Sequence, residues 1–373
     1  MWRGLGALGA VLALSACSYL PWIGSDKKLK PLPEIASPLP AKVVWHAPVS
    51  RSRDFSFVPA SAQGVIYAAG ADGTISIVGD ATGRVESSIS AGNKLSGGVG
   101  VGDGRIVVGT VKGEVLAFDR TGRQLWKSAV AGEVLAPPLV LASAVLLRTA
   151  DGRVFALNPL DGRRLWLYQR VTPSLTLRSS AGVLVSRSTV YAGFAGGKLV
   201  AMELETGKPI WEATLSLPRG ATELERVADI SGLPVLDETR ICAGVYQGRS
   251  GCVETLNGNV LWSREVSSAS GAAVDGRNLY LSDDSGNVLA LDKASGASVW
   301  KQEQLAQRRL GAPLIHDGKV WVGDGSGLVH ILSTDNGALL GRIATDGSAI
   351  NTLVEDGDKI IAQTASGGLF AIR

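Results

Sequence analysis

Ala290-Leu291-Asp292-Lys293-Ala294-Ser295-Gly296-Ala297-Ser298-Val299-Trp300 reads as the end of one strand, a tight turn closed by Gly296 and the start of a second strand carrying Trp300. The phrase recurs along the chain. Ala117 to Trp126, Ala156 to Trp166, Ala201 to Trp211 and Cys252 to Trp262 are further copies, and Ile77 to Glu86 and Ile331 to Gly341 are copies without the Trp. With Trp45 added, the Trp-equivalent positions are 45, 86, 126, 166, 211, 262, 300 and 341. A period of roughly 40 residues built from short strands is the mark of a β-propeller with one four-stranded antiparallel blade per repeat. Eight positions predict an all-β, eight-bladed ring.

Each repeat carries its own hairpin signal: Ala71-Asp72-Gly73, Lys112-Gly113, Asp151-Gly152, Gly196-Gly197, Ser285-Gly286 and Ser326-Gly327. Such pairs supply the positive φ angles that two-residue hairpins need. Between them lie apolar runs such as Arg105-Ile106-Val107-Val108-Gly109 and Lys319-Val320-Trp321-Val322-Gly323, suited to strands buried on one or both faces. One blade cannot cover both faces of its sheet, so neighbouring blades must stack and the ring must close. The recurrent Trp is expected to fill the gap between blades. The chain ends on half a repeat, Ile360 to Gln363 and Gly368 to Ile372, and begins with an orphan strand, Lys42-Val43-Val44-Trp45. That first strand is expected to complete the last blade. The propeller then spans residues 42–373.

Ahead of it, Arg3 and the apolar run Leu5 to Leu14 read as a secretory signal over residues 1–16, too short to span a bilayer as a mature helix. Leu14-Ser15-Ala16-Cys17 resembles the bacterial lipobox, which implies lipidation of Cys17. Several acyl chains there would make a permanent anchor. Ser18 stands where an Asp would suggest inner-membrane retention, so the sorting rule favours the outer membrane. Residues 17–41 hold Pro21, Pro31, Pro33, Pro38 and Pro40 and read as a semi-rigid tether rather than a packed element.

The charge balance excludes some classes. A formal net charge of +3, with 19% charged residues, argues against a nucleic-acid footprint. The three His residues, His46, His316 and His330, have no metal-ligand spacing to one another or to a Cys. There is no nucleophile elbow, phosphate loop or dinucleotide fingerprint. Asp283-Asp284-Ser285-Gly286-Asn287 lacks the closing Glu of a Ca²⁺ loop and reads as a hairpin turn. No catalytic residue, cofactor or metal is assigned. Cys242 and Cys252 flank the turn at Tyr246-Gln247-Gly248. They either form a disulfide in an oxidising compartment or remain buried thiols, and strand register decides between the two.

Function in a repeat protein often sits where one unit departs from the average. Trp166 to Trp211 is 45 residues and Trp211 to Trp262 is 51, the longest intervals. The excess lies at Val171 to Ser180 and Gly220 to Ser231, on loops expected side by side on one face. Leu175 and Leu177 next to Arg178 lie outside any repeat-core position. In the second stretch a short helical turn would put Arg226 and Asp229 on one side. Exposed apolar side chains beside an Arg and an acid suit a protein-binding patch; the alternative is a pair of long loops whose Leu residues tuck under themselves.

Two resemblances bear on this. The repeat phrase is similar to that of the pyrroloquinoline quinone enzymes, eight-bladed propeller dehydrogenases. That likeness supports the fold, but their adjacent Cys pair and clustered carboxylates are missing, so a quinone-dependent dehydrogenase is the alternative reading. The lipobox, the Pro-rich tether, the eight repeats and the runs Pro173-Ser174-Leu175-Thr176-Leu177-Arg178 and Thr222-Glu223-Leu224-Glu225-Arg226 together resemble the BamB family. These are lipoprotein subunits of the machinery that inserts β-barrels into the outer membrane. The resemblance implies a non-catalytic scaffold, anchored by lipid on the periplasmic side, that docks onto the POTRA domains of BamA within the BAM complex. Carried over by position, it implicates Leu175, Leu177, Arg178 and Asp229 in partner binding, with Arg226 added on geometric grounds. The family's second acidic position is Ser231 here. Unfolded β-barrel clients are a further implied partner, through strand addition at blade edges.

Overall fold

The computed structural model describes residues 29–373, of which Leu32–Arg373 form one compact unit. The expected signal peptide, Cys17 and the front of the tether lie outside the described residues. The unit is built from eight four-stranded antiparallel sheets. Blades one to seven span residues 60–90, 95–129, 139–168, 183–214, 235–265, 272–302 and 314–344. Blade eight combines residues 350–372 with Val43–Pro48. Around most of the ring the first strands of neighbouring blades lie against one another, and so line its centre.

Burial follows position in the blade. Second and third strands such as Arg105–Thr110 and Glu114–Phe118 are buried on both faces, which is why they read as unbroken apolar runs. Fourth strands such as Gln124–Ala129 bury the Trp and little else. The predicted hairpin glycines take positive φ, among them Gly73, Gly113, Gly152, Gly286 and Gly327.

The Trp does join neighbouring blades, and it does so twice over. Its indole N–H donates to a turn carbonyl of the next blade: Trp126 to Pro159 (2.8 Å), Trp166 to Leu204 (2.8 Å), Trp211 to Thr255 (2.9 Å), Trp262 to Lys293 (3.0 Å) and Trp300 to Thr334 (2.8 Å). Its ring lies on the glycine of the same turn. A Cβ on Gly207 would sit 2.5 Å from Trp166 Cε3, and one on Gly296 2.5 Å from Trp262 Cε3.

The two copies lacking Trp have separate explanations. Ile89 takes the place over Gly122 that a Trp at 86 would fill. Gly341 lies on the last strand of blade seven, next to blade eight, whose third and fourth strands, Gly368–Ile372 and Val43–Pro48, are not joined by a hairpin turn. There Leu39 and Ala41 pack into the cluster that contains Leu340, and the Leu39 N–H donates to Leu340 O at 2.8 Å.

The ring closes as expected. Trp45, His46 and Ala47 pair with Ala371, Phe370 and Leu369. Across the seam, the Gln363 amide donates to Ala69 O at 2.9 Å and the Ser61 hydroxyl to Asp356 at 2.6 Å. Residues 32–41, expected as free spacer, instead lie along blade seven. Leu32 packs among Leu310, Ile315 and Leu339, and Arg342 donates to Pro33 O at 3.2 Å. Their Pro residues keep the segment extended, and its leucines find apolar cover. Register also settles the cysteines: Cys242 and Cys252 stand directly opposite, with Cα atoms 4.1 Å apart, and are joined as a disulfide.

Candidate protein-docking site

The two long intervals become interblade loops, residues 169–182 into blade four and 215–234 into blade five. They meet on one face of the disc, and the contacts between them come from below and from above.

Below, two buried charges hold the first loop. Asp229 is 3% exposed. Its carboxylate accepts the Leu177 N–H at 2.7 Å and the Gly196 N–H at 3.2 Å. Arg148 ends the strand Val145–Arg148 of blade three and is buried. Its guanidinium donates to Ser179 Oγ at 3.0 Å and to Ala181 O at 3.4 Å, and stands over the Phe194 ring at 5.5 Å. Burial pushes the Arg148 pKa down to about 10, with the charges of Asp229 and Asp151 opposing. The group remains a cation at neutral pH. The Ser179 hydroxyl then donates to Ser231 O at 3.1 Å, and the Ser231 hydroxyl to Ala269 O at 2.9 Å. Ser231 thus links the second loop to the loop into blade six.

Above, the loops carry apolar tips. Leu175 is exposed, and Val171, Leu217 and Leu224 are more so, the last two at 68% and 67%. Leu177 is half-buried, as befits a residue whose amide is tied to Asp229. The Ser174 hydroxyl donates to Glu223 at 3.0 Å, joining the two crests.

The second loop makes one turn, closed by a capping box: the Glu225 carboxylate accepts the Ala221 and Thr222 amides at 2.8 and 3.1 Å, and Thr222 Oγ1 accepts the Glu225 amide at 3.3 Å. Those amides hold the Glu225 carboxyl below its usual range. The chain leaves this turn before Asp229, whose backbone bridges to Tyr246. Arg226 and Asp229 therefore do not share a side, contrary to the helical expectation. Arg226 is exposed and donates to Gly220 O at 3.1 Å, while Asp229 is inside.

Arg178 has a partner within the chain. Its guanidinium forks onto Glu133 of the loop into blade three, at 3.0 and 2.7 Å, and lies 4.9 Å from the centre of the Phe55 ring. Sequence reasoning missed Arg148, Glu133 and Phe55. Arg148 left a trace, a charge closing the apolar run Val145-Leu146-Leu147; Glu133 and Phe55 sit on ordinary-length loops and left none.

A closed ring whose main departures from its repeat are two apolar-tipped loops, braced from beneath, is a propeller of the adaptor class, one that offers a face to another protein. Among the described residues, no three His, Cys, Asp or Glu side chains gather as a metal site. The sequence model of the family "Outer membrane protein assembly factor BamB" matches residues 71–302. The chain is 44% identical over 334 residues to the protein of that name from Nitrosomonas eutropha, covering 89% of this chain and 82% of that one. The crystal structure of BamB from Moraxella catarrhalis superposes with a TM-score of 0.83 at 27% identity, over 89% of this chain and 99% of that one. A quinohemoprotein alcohol dehydrogenase from Comamonas testosteroni also superposes, with a TM-score of 0.73 over 89% of this chain and 76% of that one. At 12% identity that likeness is one of fold alone. The chain belongs to the BamB family of outer membrane protein assembly factors. It stands with those assembly factors and not with the dehydrogenases that share their ring, so it is not an enzyme.

Proposed function

We propose that this chain is a lipid-anchored scaffold of the outer-membrane β-barrel assembly complex, held at the periplasmic side through Cys17, and that it docks onto the POTRA domains of BamA with the face carrying residues 169–182 and 215–234. The observation that carries this reading is Leu175, an exposed apolar side chain on a crest whose base is tied down by Asp229. A pre-organised apolar tip loses little freedom on binding, and this favours affinity. In this reading Leu175 enters an apolar pocket on the partner and exposed Arg226 lies at the polar rim. Leu177 and Asp229 hold the crest in place.

The test is binding of the full-length protein, in detergent, to the isolated POTRA domains. Wild type is compared with Leu175→Ala, with circular dichroism confirming the fold. The expected loss is about 2 kcal/mol, the scale of an interface hot spot. A folded wild type that does not bind refutes the docking reading. An unchanged Leu175→Ala moves the contact elsewhere on the ring.

A further inference from the structure

The resemblance to the family implicates Arg178 in partner binding, yet its guanidinium is already engaged within the chain. Nε and Nη2 face the two Glu133 oxygens at 3.0 and 2.7 Å, the pair of parallel bonds that a carboxylate accepts best. The Phe55 ring lies beside the same group at 4.9 Å, a cation–π distance, and Nη1 is 3.5 Å from Asp54 O. Phe55, Glu133 and Arg178 come from three separate interblade loops, residues 49–59, 130–138 and 169–182, which lead into blades one, three and four.

We infer that Arg178 is a positioning residue and that the docking site extends to Glu133 and Phe55, which staple the Leu175 loop across the face of the disc. The inference rests on the docking reading above. The loop has no strand or helix of its own between blades three and four. Asp229 and Ser179 hold it from beneath, at Leu177 and through Ser231. Arg148 of blade three reaches it at Ser179 and Ala181, and the Arg178 staple ties it to the loops into blades three and one. A lone exposed ion pair contributes little. This one is bidentate and backed by a ring, and it joins loops that are distant in sequence.

The two roles give opposite results when Glu133 is removed. If Arg178 positions the loop, Glu133→Ala weakens binding of the full-length protein to the POTRA domains about tenfold, as Arg178→Ala does. Amide hydrogen exchange at residues 175–180 then speeds up in both variants. Phe55→Ala gives a smaller loss of the same kind. The charge-reversed pair, Glu133→Arg with Arg178→Glu, recovers part of the affinity, because it rebuilds the staple while presenting the opposite charge to the partner. If instead Glu133→Ala binds as well as wild type or better while Arg178→Ala is weakened, Arg178 is a direct contact and the inference is overturned. If folded wild type does not bind at all, the docking reading fails, and hydrogen exchange decides the staple separately: unchanged exchange at 175–180 in Glu133→Ala overturns it.

Discussion

Asp229 combines two tasks at one position. It accepts backbone N–H groups from two different loops, and it supplies negative charge near the buried guanidinium of Arg148. Removing one member of a buried charge set leaves the other uncompensated, at a cost of about 3–5 kcal/mol. Asp229→Ala is therefore expected to lower the unfolding free energy by about 3 kcal/mol, and Asp229→Asn by less, since an amide oxygen still accepts one N–H. Urea denaturation decides; two variants as stable as wild type would remove the bracing account. A second buried set lies in blade seven. His330 is fully buried, with Nε2 3.0 Å from Asp324 Oδ2 and with Arg308 and Arg342 as the nearby cations. Burial pushes its pKa below the ordinary histidine value; Asp324 opposes this and the two arginines add to it. A base with a depressed folded pKa takes its proton more readily when unfolded. Stability from this group is therefore intact above about pH 6.5 and is lost as pH falls below that. Tm should drop between pH 7 and pH 5, and the slope should flatten in His330→Gln even though its Tm at pH 7 is lower. Parallel profiles for the two proteins would exclude His330 as the cause.

At the scale of the element, the blade-to-blade joint explains why the sequence repeats as it does. The turn glycine is required twice: by its φ, +69° at Gly207, and by the indole 2.5 Å from where a Cβ would stand. Gly104 has a similar φ of +72° with nothing within 4 Å of its added Cβ. Gly104→Ala should thus cost about 1 kcal/mol, the backbone term alone. Gly207→Ala should cost about 1–3 kcal/mol more, because Trp166 must move off its turn. Equal losses in chemical denaturation would mean that the indole gives way freely. This joint made the fold legible, since a Trp and a glycine that must meet leave a visible period. The disulfide was legible only as a pair of cysteines, because it depends on a register that a one-residue slip would destroy. In the site, the Leu175 loop showed itself as extra length and as a likeness to a known family. The inward turn of Asp229 did not, because it depends on where the capping box of Thr222 and Glu225 releases the chain. Glu133 and Phe55 were hidden for a plainer reason: their contacts with Arg178 cross the disc between loops that nothing in the sequence joins.

For the whole molecule, stability depends on closing the ring, and the closing piece is the chain's first strand. Val43–Pro48 covers Gly368–Ile372, which would otherwise be an open sheet edge. It buries Ala47 completely and anchors Trp45, whose indole N–H reaches Asp80 O of blade one at 2.7 Å. Residues 32–41 then run on along blade seven through Leu39 and Leu32, so the segment expected to be spacer is partly a strap. A graded series of shortened chains separates these contributions. A chain beginning at residue 32 retains the whole compact unit and should melt as the full-length protein does. One beginning at residue 42 loses two partly buried leucines and the Arg342 contact, a loss of about 1–2 kcal/mol and a Tm lower by about 2–4 °C. One beginning at residue 49 loses the closing strand, on the order of 5 kcal/mol of apolar burial and ladder hydrogen bonds. It also exposes an apolar edge, so it should associate as well as melt early, with the association visible in light scattering. If the chain beginning at 49 stays monomeric and melts with the one beginning at 42, the ring is stable without its closing strand, and the eight blades act as independent neighbours rather than as one closed unit.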